Sequence, residues 1–240
     1  MKYNYKPKTN LEKFGIQIHN LLVENFPQTF FVGGMVRDIL LGRKITDIDI
    51  ATSAAPEKIL NALSEHGIKA DKRAERFGVV SAVRGAFKIE ITTFRRDFYS
   101  ASRYPKISFV KSPEADSRRR DFTVNSLYFS PKTAIIHDYN KGLRDISERL
   151  MRFIGTPQKR IQEDPLRIVR ALRFAQTLNF KLEKNTFEAV RKNLFLANTL
   201  TSSRVANELS KIKSPLQRKI ILSSLKDKKI LDKHFKSLYY

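Results

Sequence analysis

Apolar residues recur at helical spacing across residues 10–25, where Leu11, Phe14, Ile18, Leu21 and Leu22 form one stripe. Asn10 stands where a helix cap belongs. Residues 30–32 then read as a short strand running into Gly33-Gly34, and residues 35–41 as a short helix closed by Gly42. Residues 46–52 alternate as a strand, with Ile48 and Ile50 turned to a core and Asp47 and Asp49 to the other face. A second helix is predicted over 56–66, closed by Gly67. Residues 79–83 and 87–93 read as a strand pair with Gly85 at the turn. Residues 97–106 are polar and aromatic without a period, which predicts a mobile loop. Residues 122–129 read as strand or mixed structure, and residues 135–139 as a short strand.

After about residue 145 the pattern changes. Glycine becomes scarce and helical periodicity runs through 165–177, 185–193 and 203–212. The chain is therefore expected to have an α/β front domain over 1–145 and an all-helical rear domain over 146–240.

Charge sharpens this picture. In 240 residues, 46 Lys and Arg face 24 acids, a net charge of +22, which predicts a polyanionic partner, most simply nucleic acid. The last thirty residues alone hold nine basic residues and two acids on a thin apolar face. Cysteine is absent, which excludes disulfides and thiolate zinc sites, and the four His have no metal-ligand spacing. No apolar run follows the N-terminus and no stretch approaches a membrane span, so neither a signal peptide nor a membrane partner is expected, and a cytoplasmic location follows by default.

The candidate chemistry begins at Asp47 and Asp49. Two carboxylates on one strand face repel strongly at low dielectric, and a divalent cation relieves the repulsion. Metal pairs about 3.5–4 Å apart are the usual clamp for in-line phosphoryl or nucleotidyl transfer. The Gly33-Gly34 turn lets backbone amides approach phosphate, and Arg37, one turn into the following helix, can add a guanidinium. Arg37-Asp38 reads equally as a surface ion pair. Glu90 is either a third carboxylate, serving as a base or in a metal shell, or an exposed strand acid. Arg118-Arg119-Arg120 leads into an apolar segment, so at least one of these arginines is expected near the core; Asn125 can bond a sugar hydroxyl or cap a turn. Asp164 before Pro165 is a helix start. At about 100° per residue, Asp164, Arg167, Arg170 and Arg173 then form a slow spiral along one flank. An acceptor beside a forked donor can read a base edge, and the later arginines can reach phosphates; the bland alternative is a basic helix face with an ion pair three residues apart.

These motifs, in this order, resemble the class II tRNA nucleotidyltransferases (CCA-adding enzymes) and bacterial poly(A) polymerases of the DNA polymerase beta-like superfamily. The resemblance covers roughly residues 28–212. It rests on Gly33 to Asp38 with Asp47 and Asp49, Arg119 to Leu127, Asp138-Tyr139 with Gly142 and Asp145, Glu163 to Phe174, and a weaker motif from Ser203 to Leu209. It implies an α+β architecture, a small mixed-sheet head followed by a helical neck. It further implies that Asp47 and Asp49 bind Mg²⁺ and drive transfer. Gly34, Arg37 and Arg120 would contact the incoming nucleotide. Asp164 and Arg167 would pair with the base of CTP or ATP, supported by Arg170 and Arg173. The implied partner is the 3′ acceptor end of tRNA.

Three departures accompany the match. Ser203 stands before Arg204 where the family has Glu; Ala101 follows Tyr99-Ser100 where the family has Asp; and typical bacterial members continue well beyond this length. Within the same class the alternatives are a poly(A) polymerase or a partial CC- or A-adding enzyme. The alternative from another class is a non-catalytic RNA-binding module.

Overall fold

The structure, a computed structural model, describes residues 1–99 and 105–235. The described chain forms two compact units. The first holds residues 1–120 and 125–142, and the second holds Asp121–Val124 and the chain from Leu143 on.

In chain order the first unit contains α1 (Asn10–Val23), β1 (Thr29–Val32), α2 (Gly34–Leu40), β2 (Ile48–Thr52), α3 (Pro56–Glu65), β3 (Lys69–Asp71), β4 (Val79–Arg84) and β5 (Phe87–Thr93). It continues with β6 (Arg95–Phe98), β7 (Lys106–Phe109), α4 (Pro113–Ser117), β8 (Leu127–Ser130) and β9 (Ile135–Asp138). Among the described residues, seven of these strands form one sheet in the order β3-β4-β5-β2-β1-β8-β9. Only β2 and β5 run parallel; every other neighbouring pair is antiparallel.

The two faces of this sheet differ as the alternation of β2 requires. Ile48, Ile50, Phe31, Phe129, Ile89 and Ile91 are buried on one face, which α1 and α3 cover. Gly15 of α1 lies so close to Ile48 that an added Cβ would stand 2.8 Å from its Cδ1, so glycine is what lets this helix reach the sheet. The other face carries Phe30, Val32, Ala51, Phe94 and Tyr128 as an apolar cluster, with Asp49 and Glu90 paired in register beside it.

Several elements differ from their sequence reading. Thr9 caps α1 in place of Asn10: its hydroxyl accepts from the Glu12 amide and donates to the Glu12 carboxylate, a reciprocal box set by the Thr-x-x-Glu spacing. Asp47 falls just outside β2, whose ladder to β5 begins at Ile48. The predicted loop over 97–106 is in part a two-stranded ribbon, β6 with β7, in which Arg95 pairs Phe109 and Phe98 pairs Lys106. Ser100 and Ala101, where the loop motif departs from the family pattern, lie outside the described residues.

The second unit holds α5 (Gly142–Ser147), β10 (Leu150–Met151), α6 (Pro157–Glu163), α7 (Leu166–Leu178), β11 (Lys181–Leu182), α8 (Lys184–Lys192), α9 (Ser202–Leu209), α10 (Pro215–Lys226) and α11 (Lys228–Phe235). Among its described residues, helices are joined by the two-residue parallel ladder of β10 with β11 and an isolated antiparallel bridge between Phe122 and Phe153. Residues 121–124 belong here because Phe122 is fully buried, stacked on Phe153 and edge-on to Phe174. No helix among the described residues is long and apolar enough to cross a membrane.

Candidate active site

Strand register brings the acids together. Asp49 lies opposite Glu90 on β5 and opposite Val32 on β1, the residue just before the glycine turn. Gly33 adopts φ +74°, a region open to glycine at little cost. A Cβ there would come within 3.3 Å of Asp49 Oδ2 and 3.8 Å of Arg120 Nη1. Turn, carboxylate and guanidinium therefore converge on one point. Asp49 is half-buried. Its pKa is pushed up to about 6, first by burial, then by the charge of Glu90 and to a smaller extent Asp47, with Arg120 pulling the other way. Asp47 is exposed and accepts a 3.2 Å bond from the hydroxyl of its neighbour Thr46. Glu90 is also exposed, with Lys88 Nζ 3.7 Å from its carboxylate.

This donor set fits a hard divalent cation. All the available ligands are carboxylate oxygens, and Asp49 gains from any added positive charge. Among the described residues, no group of three or more metal-ligating side chains is preassembled. Mg²⁺ in particular is held by one or two carboxylates plus substrate phosphates rather than by an all-protein cage.

Arg120 is set by a buried network that the sequence did not disclose. The Tyr128 hydroxyl donates to Asp116 Oδ2 at 2.5 Å and accepts from Arg120 Nε at 2.9 Å. Asp116, with no solvent exposure, also accepts from Arg119 Nε, Arg120 Nη2 and the Arg95 amide. Burial raises the Asp116 pKa, but Arg120 and Arg119 outweigh it and hold the carboxyl below its ordinary range. Of the three consecutive arginines, Arg118 is the solvated one, pairing with exposed Glu114, while Arg119 and Arg120 are largely covered. The signal for this network was present as Asp116 four residues before Arg120 and Tyr128 eight after, but nothing local marked either as buried.

Arg37 is also covered. Its Nη2 and Nε meet Asp38, and Nη1 donates to Asn125 Oδ1 at 2.5 Å. The Arg37-Asp38 pair is thus a buried brace beneath the turn rather than a surface ion pair: Nη2 lies 3.4 Å from where a Gly34 Cβ would stand. Asn125, which the sequence offered to a sugar or a turn, completes that brace.

In the second unit the predicted spiral is a chain of ion pairs. Asp164 sits between α6 and α7, where its carboxylate accepts from the Leu166 amide and from Arg204 Nη2 at 2.9 Å. Arg167 is buried, donating to the Arg160 carbonyl and to Glu163. Arg170 meets Asp121 and Glu208. Arg173 donates to Glu208 at 2.8 Å and stacks over Phe174, 3.8 Å from the ring centre. Glu208 is buried; Arg170, Lys211 and Arg173 pull its pKa down against the effect of burial. Arg170 and Arg173, expected to reach phosphates, are both tied to carboxylates of their own unit, Arg170 to Asp121 and both to Glu208 of α9. Asp138 and Asp145 serve the fold in the same way. Asp138 accepts from the Asn140 and Gly142 amides, and Asp145 from Thr123 and Arg152.

A protein-family model described as the poly A polymerase head domain matches residues 29–152. The chain is 41% identical over 198 residues to a CCA-adding enzyme of Streptococcus mutans serotype c, a match spanning 80% of this chain and 47% of that protein. It is 42% identical over 195 residues to one of Ligilactobacillus salivarius, spanning 79% and 47%. The chain thus spans about half the length of the curated relatives it matches. Among solved structures, the CCA-adding enzyme of Bacillus stearothermophilus in complex with CTP aligns with a TM-score of 0.78 at 33% identity, over 90% of this chain and 53% of that one. A tRNA nucleotidyltransferase complexed with a primer tRNA and an incoming ATP analog aligns with a TM-score of 0.70 at 29% identity, over 93% and 64%.

Proposed function

The chain belongs to the poly A polymerase head domain family, and from that premise we propose that it is a tRNA nucleotidyltransferase, adding CMP and AMP from CTP and ATP to the 3′ end of tRNA. The observation that carries this reading is the convergence of Asp49, the Gly33 turn and Arg120, on a sheet face where acids alone would repel. In the reaction, the 3′-hydroxyl attacks the α-phosphorus of a nucleoside triphosphate and pyrophosphate leaves, with no covalent enzyme intermediate.

Asp47 and Asp49 would hold Mg²⁺, which when bound supplies a Lewis acid for the phosphate oxygens and lowers the pKa of the attacking hydroxyl. Asp49 must be ionised for this, and a bound divalent cation would favour that form, as Arg120 does, against burial and the charge of Glu90. Arg120, held rigid by Tyr128 and Asp116, offers a fixed positive charge to the triphosphate without reorganisation. Gly33 and Gly34 leave room for a phosphate against the backbone, and Arg37 keeps that turn in shape from beneath. In the second unit, Asp164 and Arg167 are assigned to the edge of the incoming base, with Arg170 and Arg173 fixing the helix that presents them.

The test is incubation with Mg²⁺, a tRNA transcript lacking its terminal CCA, and CTP and ATP separately and together, read at single-nucleotide resolution. A short defined addition is expected. A long A tail would move the chain to the poly(A) branch, and absence of any incorporation would overturn the reading.

A further inference from the structure

The row of the sheet that contains Asp49 does not end at Glu90. Register continues it through Ser81 on β4 to Asp71 on the edge strand β3. Two residues along, Lys69, Val83 and Lys88 form the neighbouring row on the same face. Contacts agree with the register: Lys88 Nζ stands between Asp71 at 3.9 Å and Glu90 at 3.7 Å. At the β3 edge lies a hollow of about 560 Å³ whose charged lining is Lys69, Asp71, Lys72, Arg73 and Lys88; Asp71 is taken up by Arg73, 2.6 Å away, so the net positive charge of the lining comes from the three lysines. At about 4.8 Å per strand, β3 lies about 14 Å from β2.

We propose that this basic hollow holds the phosphates of the single-stranded 3′ end of RNA on its way to the carboxylates. The inference deepens the proposed transfer reaction and rests on it for the identity of the site. The two flanks of Asp49 are electrostatically unlike. On the β1 flank stand the glycine turn and Arg120, suited to a group whose charge lies at its reacting end. On the β5 flank the acid at Glu90 gives way, past Ser81, to the lysines of the β3 edge, where Arg73 takes up Asp71. A strand terminus has that polarity: its reacting hydroxyl is neutral, and its charge sits on phosphates further back. A triphosphate entering from this side would meet Glu90 first. Lys69 and Lys72 are exposed, so a passing strand gains their charge without distorting the fold.

The test is the double variant Lys69→Glu/Lys72→Glu, assayed against the CCA-lacking tRNA transcript, with Lys69→Arg/Lys72→Arg as the charge-conserving control. Kd for the RNA should rise about tenfold and the slope of log Kd against log salt should fall by about 1.4, the share of two phosphate contacts on a single strand. KM for CTP should stay unchanged, and the Arg pair should match the wild type. In parallel, 4-thiouridine placed three nucleotides from the 3′ end should cross-link to residues 69–88. Unchanged RNA affinity and slope, a raised KM for CTP, or cross-links confined to residues 211–235 would each overturn the assignment. Both RNA readouts need no turnover. A wild-type protein that fails to transfer nucleotides while the variant still binds RNA more weakly would overturn the reaction and support the surface.

Discussion

Asp49 is the residue at which stability and chemistry oppose each other. Its folded pKa of about 6 lies above the ordinary 3.8. Below the lower value both folded and unfolded chains are protonated and the group contributes nothing. As pH rises through that window, the unfolded chain releases its proton first and the fold loses stability, with the full penalty present above about 6. Asp49→Asn removes the penalty. The metal-free variant should be more stable than the parent by about 1–2 kcal/mol at pH 7.5 and no more stable at pH 3.5. Adding Mg²⁺ at pH 7.5 should close the gap by stabilising only the parent. Paired thermal melts at the two pH values check this, and the variant should show no transfer. Tyr128→Phe acts on the opposite flank. It strips an acceptor from Arg120 and a donor from buried Asp116, a cost of about 1–2 kcal/mol by urea unfolding. Because Arg120 then loses its fixed aim, KM for CTP should rise as well, a change that a purely structural hydroxyl would not produce.

Turns and helix ends decide how the elements meet. Gly33→Ala would force a positive φ on a side chain and push its Cβ to 3.3 Å from Asp49 Oδ2. It should destabilise by about 1–2 kcal/mol and cut transfer at least about tenfold, measured by melting and by single-turnover rates. On the helical side, Glu208 joins α9 to Arg170 and Arg173 of α7. Glu208→Gln leaves two covered cations short of charge and should cost about 3 kcal/mol, with hydrogen exchange speeding first in α9. Much of this frame was legible in the sequence. The Asp-Ile-Asp-Ile alternation gave β2 and its two faces, Gly85 marked the β4–β5 turn, and the loss of glycine marked the change to helix. What was not legible depends on long-range pairing. The β6–β7 ribbon has no apolar period because its faces are not buried in a core; its order comes from the ladder between Arg95 and Phe109. Asp121 and Glu208, which take up Arg170 and Arg173, lie 49 and 35 residues from them in the chain, so the basic spiral looked free when these charges were already matched.

At the scale of the molecule, the net charge of +22 is not spread by default over every surface. It is partly balanced by acids within the arginine networks, while at the β3 edge the lysines outnumber the acids that line the hollow, and affinity for a polyanion can be gained there. Two further properties of the whole follow from the path of the chain. It leaves the first unit at Arg120, contributes Asp121–Val124 to the second, and returns for residues 125–142 before departing again. Truncation after Gly142 should therefore give an aggregating product, seen as loss of the monomer peak in size exclusion, since Phe122 would be parted from Phe153 and Phe174. No single cut separates the two halves cleanly: one after Arg120 takes β8 and β9 from the sheet, and one after Gly142 parts Phe122 from Phe153 and Phe174. Such a sequence resists shuffling: the sheet unit and its helical companion must be inherited as one woven piece.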